Sequence, residues 1–221
     1  MSSSNVQDLL GVHPSSDTLA QYISTLCKLA ALGTVDPEVK SYSDAVYFNY
    51  FALGLSLLFS PKNGYKPATG LARSGLRDGD LVLEGLDFYN IPKPKLSDPK
   101  TKGTSSRKAE LAFSTHPASP IRLALTADLK DKDGKVLSRL PHLEVRPETT
   151  GKDFVECMGE PDRKGGGAGP SSGSIGIWCE WTRDGVMVEF GGDEAKGPQA
   201  WERGKDAVWK VVTVFPIPCK Q

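Results

Sequence analysis

The sequence predicts an α+β protein in which two diverged repeats, each a helix plus an antiparallel sheet, share one sheet with the helices on one face. Two observations support this fold. Short segments of alternating apolar and polar residues are separated by turn residues, which is typical of antiparallel strands. The same order of elements then occurs twice along the 221 residues. The 23 glycines and 16 prolines fit many turns and few long helices.

The charge and apolar content argue against several classes of protein. Lys plus Arg equals Asp plus Glu at 27 each, so no overall field draws in nucleic acid or an anionic membrane. The longest apolar stretch, residues 48–59, is shorter than the roughly 20 residues of a membrane-spanning helix. Residues 1–5 lack the positive and apolar regions of a secretory signal. We therefore expect a cytoplasmic protein with no transmembrane segment and no nucleic-acid partner.

The cysteines favour the same compartment. They lie far apart, without a C-x-x-C motif, at Cys27, Cys157, Cys179 and Cys219. This spacing predicts buried free thiols in a reducing environment. A disulfide or a metal site is the alternative.

Two helices are predicted near the N-terminus. Residues 5–10 form a short helical turn that ends at Gly11. Ser16 or Asp17 caps a longer helix over 18–32. The apolar stripe of this helix contains Leu19, Ile23, Leu26, Leu29 and Ala30.

Three strands follow after a loop over 34–44. Aromatic residues dominate the first strand, 46–51, and apolar residues dominate the second, 55–59. A turn at Gly54 joins these two strands. The third strand is predicted over 81–90.

The first repeat is predicted to end at residue 91, so that it covers 1–91, and residues 92–147 form an insertion or linker. The first part of this insertion is polar and rich in Pro, Lys and Ser, which is typical of a surface segment. Its second part predicts a β-hairpin over 121–137 with a turn at 131–134. Residues 143–145 are predicted as a further edge segment.

The second repeat, 148–221, begins with a helix over 152–158 that is capped by Thr149 or Thr150. A hairpin turn is predicted at 183–185, because a glycine supplies the positive φ that such turns need. The strands of this repeat are predicted at 175–181, 186–190 and 208–215.

The two repeats align at offsets that shrink along the chain, because the first copy carries longer insertions. The longest match joins residues 46–59 to 177–190 at an offset of 131, with aromatic residues, the turn glycine and the final Phe aligned. Shorter matches pair 8–11 with 156–159 and 86–89 with 212–215, at offsets of 148 and 126. Three segments in the same order favour duplication. The alternative is that any two hairpins ending in Phe look alike.

Side-chain alternation divides the strand residues between a core face and an open face. The core face carries Val46, Phe48, Tyr50, Leu55, Leu57 and Phe59 in the first repeat, and Ile175, Ile177, Cys179, Trp181, Val186, Val188 and Phe190 in the second. Large aromatic residues and a few acids fall on the open face, as on protein-binding surfaces. We predict that a partner protein binds there through Tyr47, Phe51, Trp178, Glu180, Glu189 and Trp209.

Two alternatives to this open binding face remain. In the first, the 92–147 segment folds over the face and buries its aromatic residues. In the second, the chain is an enzyme or a small-ligand carrier with a pocket between the sheet and this insertion. A deep pocket that holds a titratable group of shifted pKa would favour the second alternative.

The sequence singles out no catalytic residue, metal ligand or cofactor motif, so we expect binding rather than catalysis. His13, His116 and His142 have no motif partner, and a surface or loop position is predicted for each. The Gly-rich stretch 165–173 can hold an anion through its backbone amides. No Walker pattern surrounds this stretch, and a flexible connector is the simpler interpretation.

Two segments resemble known families. The helix end at 156–161, Glu-Cys-Met-Gly-Glu-Pro, is similar to the Leu-Gly-x-Pro of the β-lactamase-inhibitor-protein-like fold, which small outer-membrane assembly lipoproteins share. The stretch 47–59 resembles part of the eukaryotic phagophore-associated, lin-10-like family. The first repeat departs from the helix-end pattern, with Gly-Val-His-Pro at 11–14. These resemblances imply a non-enzymatic role in binding a partner and do not name the partner.

Overall fold

A computed structural model describes residues 5–91, 112–126, 128–130, 135–167 and 176–217 of the chain. Helices and antiparallel sheets occupy separate segments, which confirms the predicted α+β class.

The described residues divide into two compact units. Those of Leu9–Ala118 form the first unit, and those of Met1–Asp8 and Ser119–Gln221 form the second. The described parts of the segment 92–147 are therefore distributed over both units.

The N-terminal helices follow the prediction closely. Val6–Leu9 is a short 3-10 helix, and the α-helix α1 spans Asp17–Leu29. Its N-cap is Ser16, whose Oγ accepts a hydrogen bond from the Leu19 amide at 3.3 Å, as a serine in this position commonly does. The helix ends three residues before the predicted position, and Leu29 of the predicted apolar stripe is exposed.

The first unit contains a four-stranded antiparallel sheet in the order β1-β2-β3-β4. Its strands are Glu38–Ser41, Val46–Tyr50, Leu55–Pro61 and Leu81–Tyr89. The last three lie within two residues of the predicted strands, whereas β1 lies in the predicted loop 34–44. The charged residues Glu38 and Lys40 leave β1 with too little apolar alternation to predict a strand.

The second unit begins with an extended hairpin. Its strands are Ile121–Ala124 (β5), Leu129–Lys130 (β6), Val136–Leu137 (β7) and His142–Val145 (β8). β5 pairs with β8, and β6 pairs with β7. The hairpin predicted over 121–137 therefore continues to the end of β8. Its predicted turn at 131–134 lies outside the described residues.

A helix and a second four-stranded sheet complete the second unit. The helix α2 spans Gly151–Met158 and begins with a capping box between Thr150 and Asp153. A one-turn helix, α3, spans Ala200–Arg203. The antiparallel sheet has the order β9-β10-β11-β12. Its strands are Arg163–Gly165, Trp178–Trp181, Val186–Phe190 and Trp209–Val214, of which β9 is missing from the prediction.

The two four-stranded sheets have matching registers. β2 pairs with β3 in the register that β10 forms with β11, at the predicted offset of 131. In both hairpins a 3-10 turn ends in a left-handed glycine, Gly54 with φ 53° and Gly185 with φ 63°. β3 and β4 match β11 and β12 with β-bulges at equivalent positions. These matches support duplication, which stays a prediction.

Each sheet has one buried face. The inward residues of the described strands that alternation assigns to the core are all buried, which confirms the inward faces. Ile175 lies outside the described residues. In the second unit α2 packs against this face, where the ring centroid of Phe154 lies 6.1 Å from that of Trp181 and 5.9 Å from that of Phe190.

A buried ion pair links three parts of the second unit. Arg139 donates from Nη2 to Oδ1 of Asp184 at 2.6 Å and from Nη1 to Oδ2 at 2.9 Å. The amide of Thr126 donates to the same carboxylate at 2.9 Å, and Arg139 also donates to the Met158 carbonyl at 3.4 Å. Asp184 lies in the predicted turn 183–185, and its side chain is fully buried. The pair therefore joins this turn to the β5–β8 hairpin and to the end of α2.

Candidate functional site

The open face of the first sheet forms a groove of about 760 Å³. Its lining comes from all four strands, from the β1–β2 turn and from the residues that begin at position 112. Aromatic rings and carboxylates predominate among the lining residues, which are Glu38, Lys40, Tyr42, Asp44, Ala45, Tyr47, Asn49, Phe51, Ser56, Asp87, Tyr89, Ala112 and Phe113. Strand alternation places the lining residues of the strands opposite the core face.

Two small polar residues occupy the middle of the groove. Asn49 and Ser56 are direct partners in the β2–β3 ladder. The Ser56 hydroxyl donates to Oδ1 of Asn49 at 2.8 Å, and both residues are buried. Because these side chains are short, the larger rings at either end stand above them.

Three neighbouring rings, two of them stacked and the third tilted, form one end of the groove, which we call the Phe113 end. The rings of Phe113 and Tyr89 are parallel within 4°, with centroids 3.8 Å apart. The centroid of Phe51 lies 4.6 Å from that of Phe113. Stacking of this kind stabilises aromatic pairs by about 0.5–1.5 kcal/mol beyond area burial.

Backbone hydrogen bonds hold Phe113 in this position. The amide of Ser114 donates to the Phe51 carbonyl at 2.8 Å, and the amide of His116 donates to the Tyr89 carbonyl at 2.8 Å. Residues 112–116 thus cover the Phe113 end of the open face. This contact agrees with part of the first alternative, in which the 92–147 segment folds over the open face. Residues 92–111 of that segment lie outside the described residues.

His116 lies in a loop, as one of the two predicted positions has it, but its side chain is buried in the core behind this end. Its Nδ1–H donates to the Leu53 carbonyl at 3.0 Å, which leaves Nε2 to accept from the Tyr22 hydroxyl at 3.4 Å. Its ring meets that of Phe88 edge to face, with centroids 4.9 Å apart. Burial lowers the pKa of His116 to about 4, so the imidazole is neutral at pH 7. Of the other two histidines, His13 is exposed and His142 is half-buried in β8.

Two tyrosines form the opposite end of the groove, which we call the Tyr42 end. Their rings meet at 83°, with the centroids of Tyr42 and Tyr47 6.2 Å apart. The β1–β2 turn fixes Tyr42, whose amide donates to the Ala45 carbonyl at 2.8 Å. Asp44 of the same turn also lines this end.

The six predicted site residues fall into three settings. Tyr47 and Phe51 lie in the groove of the first unit. Trp178, Glu180 and Glu189 lie half-buried on the second sheet, on the face opposite its core. Trp209 belongs to neither surface.

The two glutamates on the second sheet form ion pairs within the chain. Oε2 of Glu180 lies 3.3 Å from Nη1 of Arg163, and Oε1 of Glu189 lies 3.3 Å from Nζ of Lys210. Partly exposed pairs of this kind contribute about 0–1 kcal/mol to stability. Their charges are compensated within the chain, which makes them weaker anchors for a partner.

The prediction that Trp209 lines the open face is wrong. Only 3% of this residue is exposed, and its Nε1 donates to the Arg146 carbonyl at 2.7 Å. The β-bulge in the β11–β12 ladder pairs Trp209 with Phe190, a residue of the core face. The bulge therefore turns Trp209 inward. The prediction assumes regular alternation along this strand.

The second unit holds a smaller cavity of about 270 Å³ beside α2 and α3. Cys179 lies among its lining residues, and burial raises the pKa of this thiol to about 11. Trp201 is exposed, and Nζ of Lys164 lies 5.6 Å from the centre of its ring. The lining combines three lysines with two glutamates. The cavity can accept an apolar side chain, and its mixed charges select no particular ligand.

Within the described ranges, no group of three His, Cys, Asp or Glu side chains is arranged to hold a metal ion. The same ranges contain no helix that is long and apolar enough to cross a membrane. Cys27, Cys157 and Cys179 are free thiols, and Cys219 lies outside the described residues. Tyr22, Tyr50, Glu84, His116, Cys157 and Cys179 have shifted pKa values, and these six residues lie outside the groove lining.

No protein family, curated protein or solved structure matches this chain. The resemblances to the β-lactamase-inhibitor-protein-like fold and to the lin-10-like family therefore stay predictions.

Proposed function

We propose that the chain is a non-enzymatic protein-interaction module that binds an extended segment of a partner protein in the groove of the first unit. The observation that carries this proposal is the open sheet face itself. Aromatic rings stand at both ends of a polar floor there, and Tyr42 at one end is exposed. Interfaces concentrate their binding energy in aromatic anchors of this type.

The dimensions of the groove favour a peptide over a small molecule. Tyr47 lies in β2 and Phe51 begins the 3-10 turn that follows this strand, so the two residues are at most about 13 Å apart at the rise of a β-strand. About four residues of an extended peptide span that length. Because their side chains alternate, two of them face the floor and reach the aromatic ends.

The proposal is tested by selecting random phage-displayed peptides that bind the full chain, and by measuring their affinities by fluorescence polarisation. We expect Tyr47→Ala to weaken binding about tenfold or more, as truncation of a hot-spot tyrosine does. Tyr65→Ala is the matched control, because Tyr65 is a half-buried tyrosine of the same unit outside the groove. Thermal melts of both variants separate lost binding from lost folding.

Peptides that bind Tyr47→Ala and the wild-type chain equally would overturn this assignment. The same measurement on Trp178→Ala tests the face of the second sheet, where half of the predicted anchors lie. If only Trp178→Ala weakens binding, the interaction belongs to the second unit and not to the groove.

The alternative of an enzyme or small-ligand carrier stays a prediction. A titratable group of shifted pKa inside the groove would favour it. His116 and Cys179, whose pKa values are shifted, lie outside the groove lining.

We further propose a cytoplasmic location and an origin by duplication. The free thiols of Cys27, Cys157 and Cys179 favour a reducing compartment. The equal registers and bulges of the two sheets support the duplication. They are also what the resemblance to a repeat-containing fold would require.

A further inference from the structure

The Tyr42 end of the groove has the geometry of a site for a cation. The rings of Tyr42 and Tyr47 are nearly perpendicular, so they form two walls of a corner. Tyr42 is 45% exposed, and its ring is therefore accessible from solvent. Aromatic walls of this kind attract ammonium and guanidinium groups through the negative faces of their rings.

The charges around the groove favour a positive ligand as well. Among the described lining residues, Glu38 and Asp44 carry carboxylates near the Tyr42 end, and Lys40 carries an ammonium group. Nζ of Lys40 lies 3.2 Å from Oε1 of Glu38, so the chain's own cation is engaged by one of these carboxylates. Asp44 is exposed at the Tyr42 end, and its carboxylate attracts a cation that enters this end of the groove.

We propose that the Tyr42 end is a subsite for an arginine or lysine side chain of the bound peptide. This inference rests on the proposed function, because it names the partner as an extended segment with a basic residue. The cation lies between the rings of Tyr42 and Tyr47, and Asp44 supplies the counter-charge. The peptide backbone then follows β2 toward the Phe113 end, where an apolar side chain reaches the rings.

The test compares peptide arrays that carry arginine, lysine, citrulline or glutamate at one fixed position, with all other positions randomised. Citrulline keeps the size and planarity of arginine and removes its charge. We expect the wild-type chain to bind the arginine and lysine arrays about tenfold more tightly than the citrulline array. Asp44→Asn and Tyr42→Leu are expected to abolish this preference, and Tyr65→Leu is expected to leave it unchanged. Thermal melts confirm that each variant is folded.

The outcomes separate this inference from the proposed function. If peptides bind in a Tyr47-dependent way but show no preference for arginine or lysine over citrulline, the cation subsite is wrong and the groove remains a peptide site. A preference that survives both Asp44→Asn and Tyr42→Leu also overturns the subsite, because the cation is then recognised elsewhere. If no array peptide and no selected peptide binds, both proposals are wrong.

Discussion

At the scale of single residues, His116 shows how burial fixes a protonation state. The imidazole is enclosed by the Leu53 carbonyl, the Tyr22 hydroxyl and the ring of Phe88. Protonating it would place a charge in the core of the first unit, and this is why its pKa is lowered to about 4. His116 also anchors the segment that carries Phe113, so its protonation state affects the Phe113 end of the groove.

We expect the free energy of unfolding to fall as the pH is lowered from about 6.5 to about 4. The unfolded chain binds a proton at His116 below pH 6.5, whereas the folded chain binds it only near pH 4. Acidification therefore favours the unfolded state over this window, by about 3 kcal/mol in all. Guanidinium unfolding of the wild-type chain and of His116→Gln at several pH values measures this loss.

The carboxylates titrate in the wild-type chain and in His116→Gln alike. The difference between the two pH dependences of unfolding therefore isolates the contribution of His116. His116→Gln is expected to lose the part of the pH dependence that lies between pH 6.5 and 4. His13→Gln changes an exposed histidine and should retain the wild-type slope. Parallel curves for the wild-type chain and His116→Gln would contradict a neutral, buried His116.

Neither the burial of His116 nor that of Trp209 could be predicted from the sequence. A single histidine in a polar stretch carries no periodic signal, and its partners Leu53 and Tyr22 are far away in the sequence. Trp209 is turned inward by a bulge, which alternation cannot anticipate. Tyr47 and Phe51 were predictable because they belong to a regular hairpin.

At the scale of elements, the hairpin turns at Gly54 and Gly185 combine two constraints. Both glycines have positive φ. Both also lie against backbone, because a Cβ at Gly54 would be 2.2 Å from the Ser114 carbonyl oxygen and one at Gly185 would be 2.1 Å from that of Phe215. The turns therefore require glycine for its conformation and for its size.

We expect Gly54→Ala to destabilise the chain by at least twice as much as Gly64→Ala. At Gly64 φ is 75° and the space around a Cβ is open. Alanine at this position therefore costs only the free energy of a left-handed backbone conformation, roughly 1–2 kcal/mol. At Gly54 the Ser114 carbonyl must also move. Chemical denaturation of both variants compares the two costs. Equal losses would show that the approach of Ser114 is unimportant.

The strands with strong alternation were predictable, and the charged edge strands were not. The bounds of β11 match their prediction and those of β2 differ by a single residue at one end, because apolar residues face inward at every second position. β1 and β9 are short and carry charged residues. Backbone pairing with a neighbouring strand therefore defines these two strands, and an alternation of apolar side chains does not. β1 and the β1–β2 turn contribute to the lining of the groove, which is why the Tyr42 end was not predicted.

At the scale of the whole molecule, the two units combine hairpins of similar backbone with different interiors. Asp184 and Leu53 occupy equivalent positions at the offset of 131, in turns of the same conformation. Both are buried. The second unit has an ion pair with Arg139 at this position, and the first has an apolar side chain. This ion pair could not be predicted from the sequence, because 45 residues separate Arg139 from Asp184.

Breaking this pair is expected to destabilise the protein strongly. Arg139→Met leaves the carboxylate of Asp184 buried without its counter-charge, which costs about 3–5 kcal/mol. Adding Asp184→Leu, which introduces the residue found at the equivalent position of the first unit, should recover part of that loss because no buried charge remains. Guanidinium denaturation of the single and double variants measures both effects.

The control for this prediction is Arg163→Gln, which removes the partly exposed partner of Glu180. It should change stability by about 1 kcal/mol or less. If Arg139→Met is as mild as Arg163→Gln, or if the double variant is less stable than Arg139→Met, the buried pair does not have the role assigned to it.

The terminal strands β1 and β9 have a consequence for solubility. Each lies at one end of its sheet, where backbone groups are open to pairing with another molecule. Their charged residues, which are Glu38, Lys40, Arg163 and Lys164, oppose such edge-to-edge aggregation. Glu38 and Lys40 also line the groove. Replacing Glu38 and Lys40 with apolar residues in order to tighten binding would therefore make the protein more prone to aggregate.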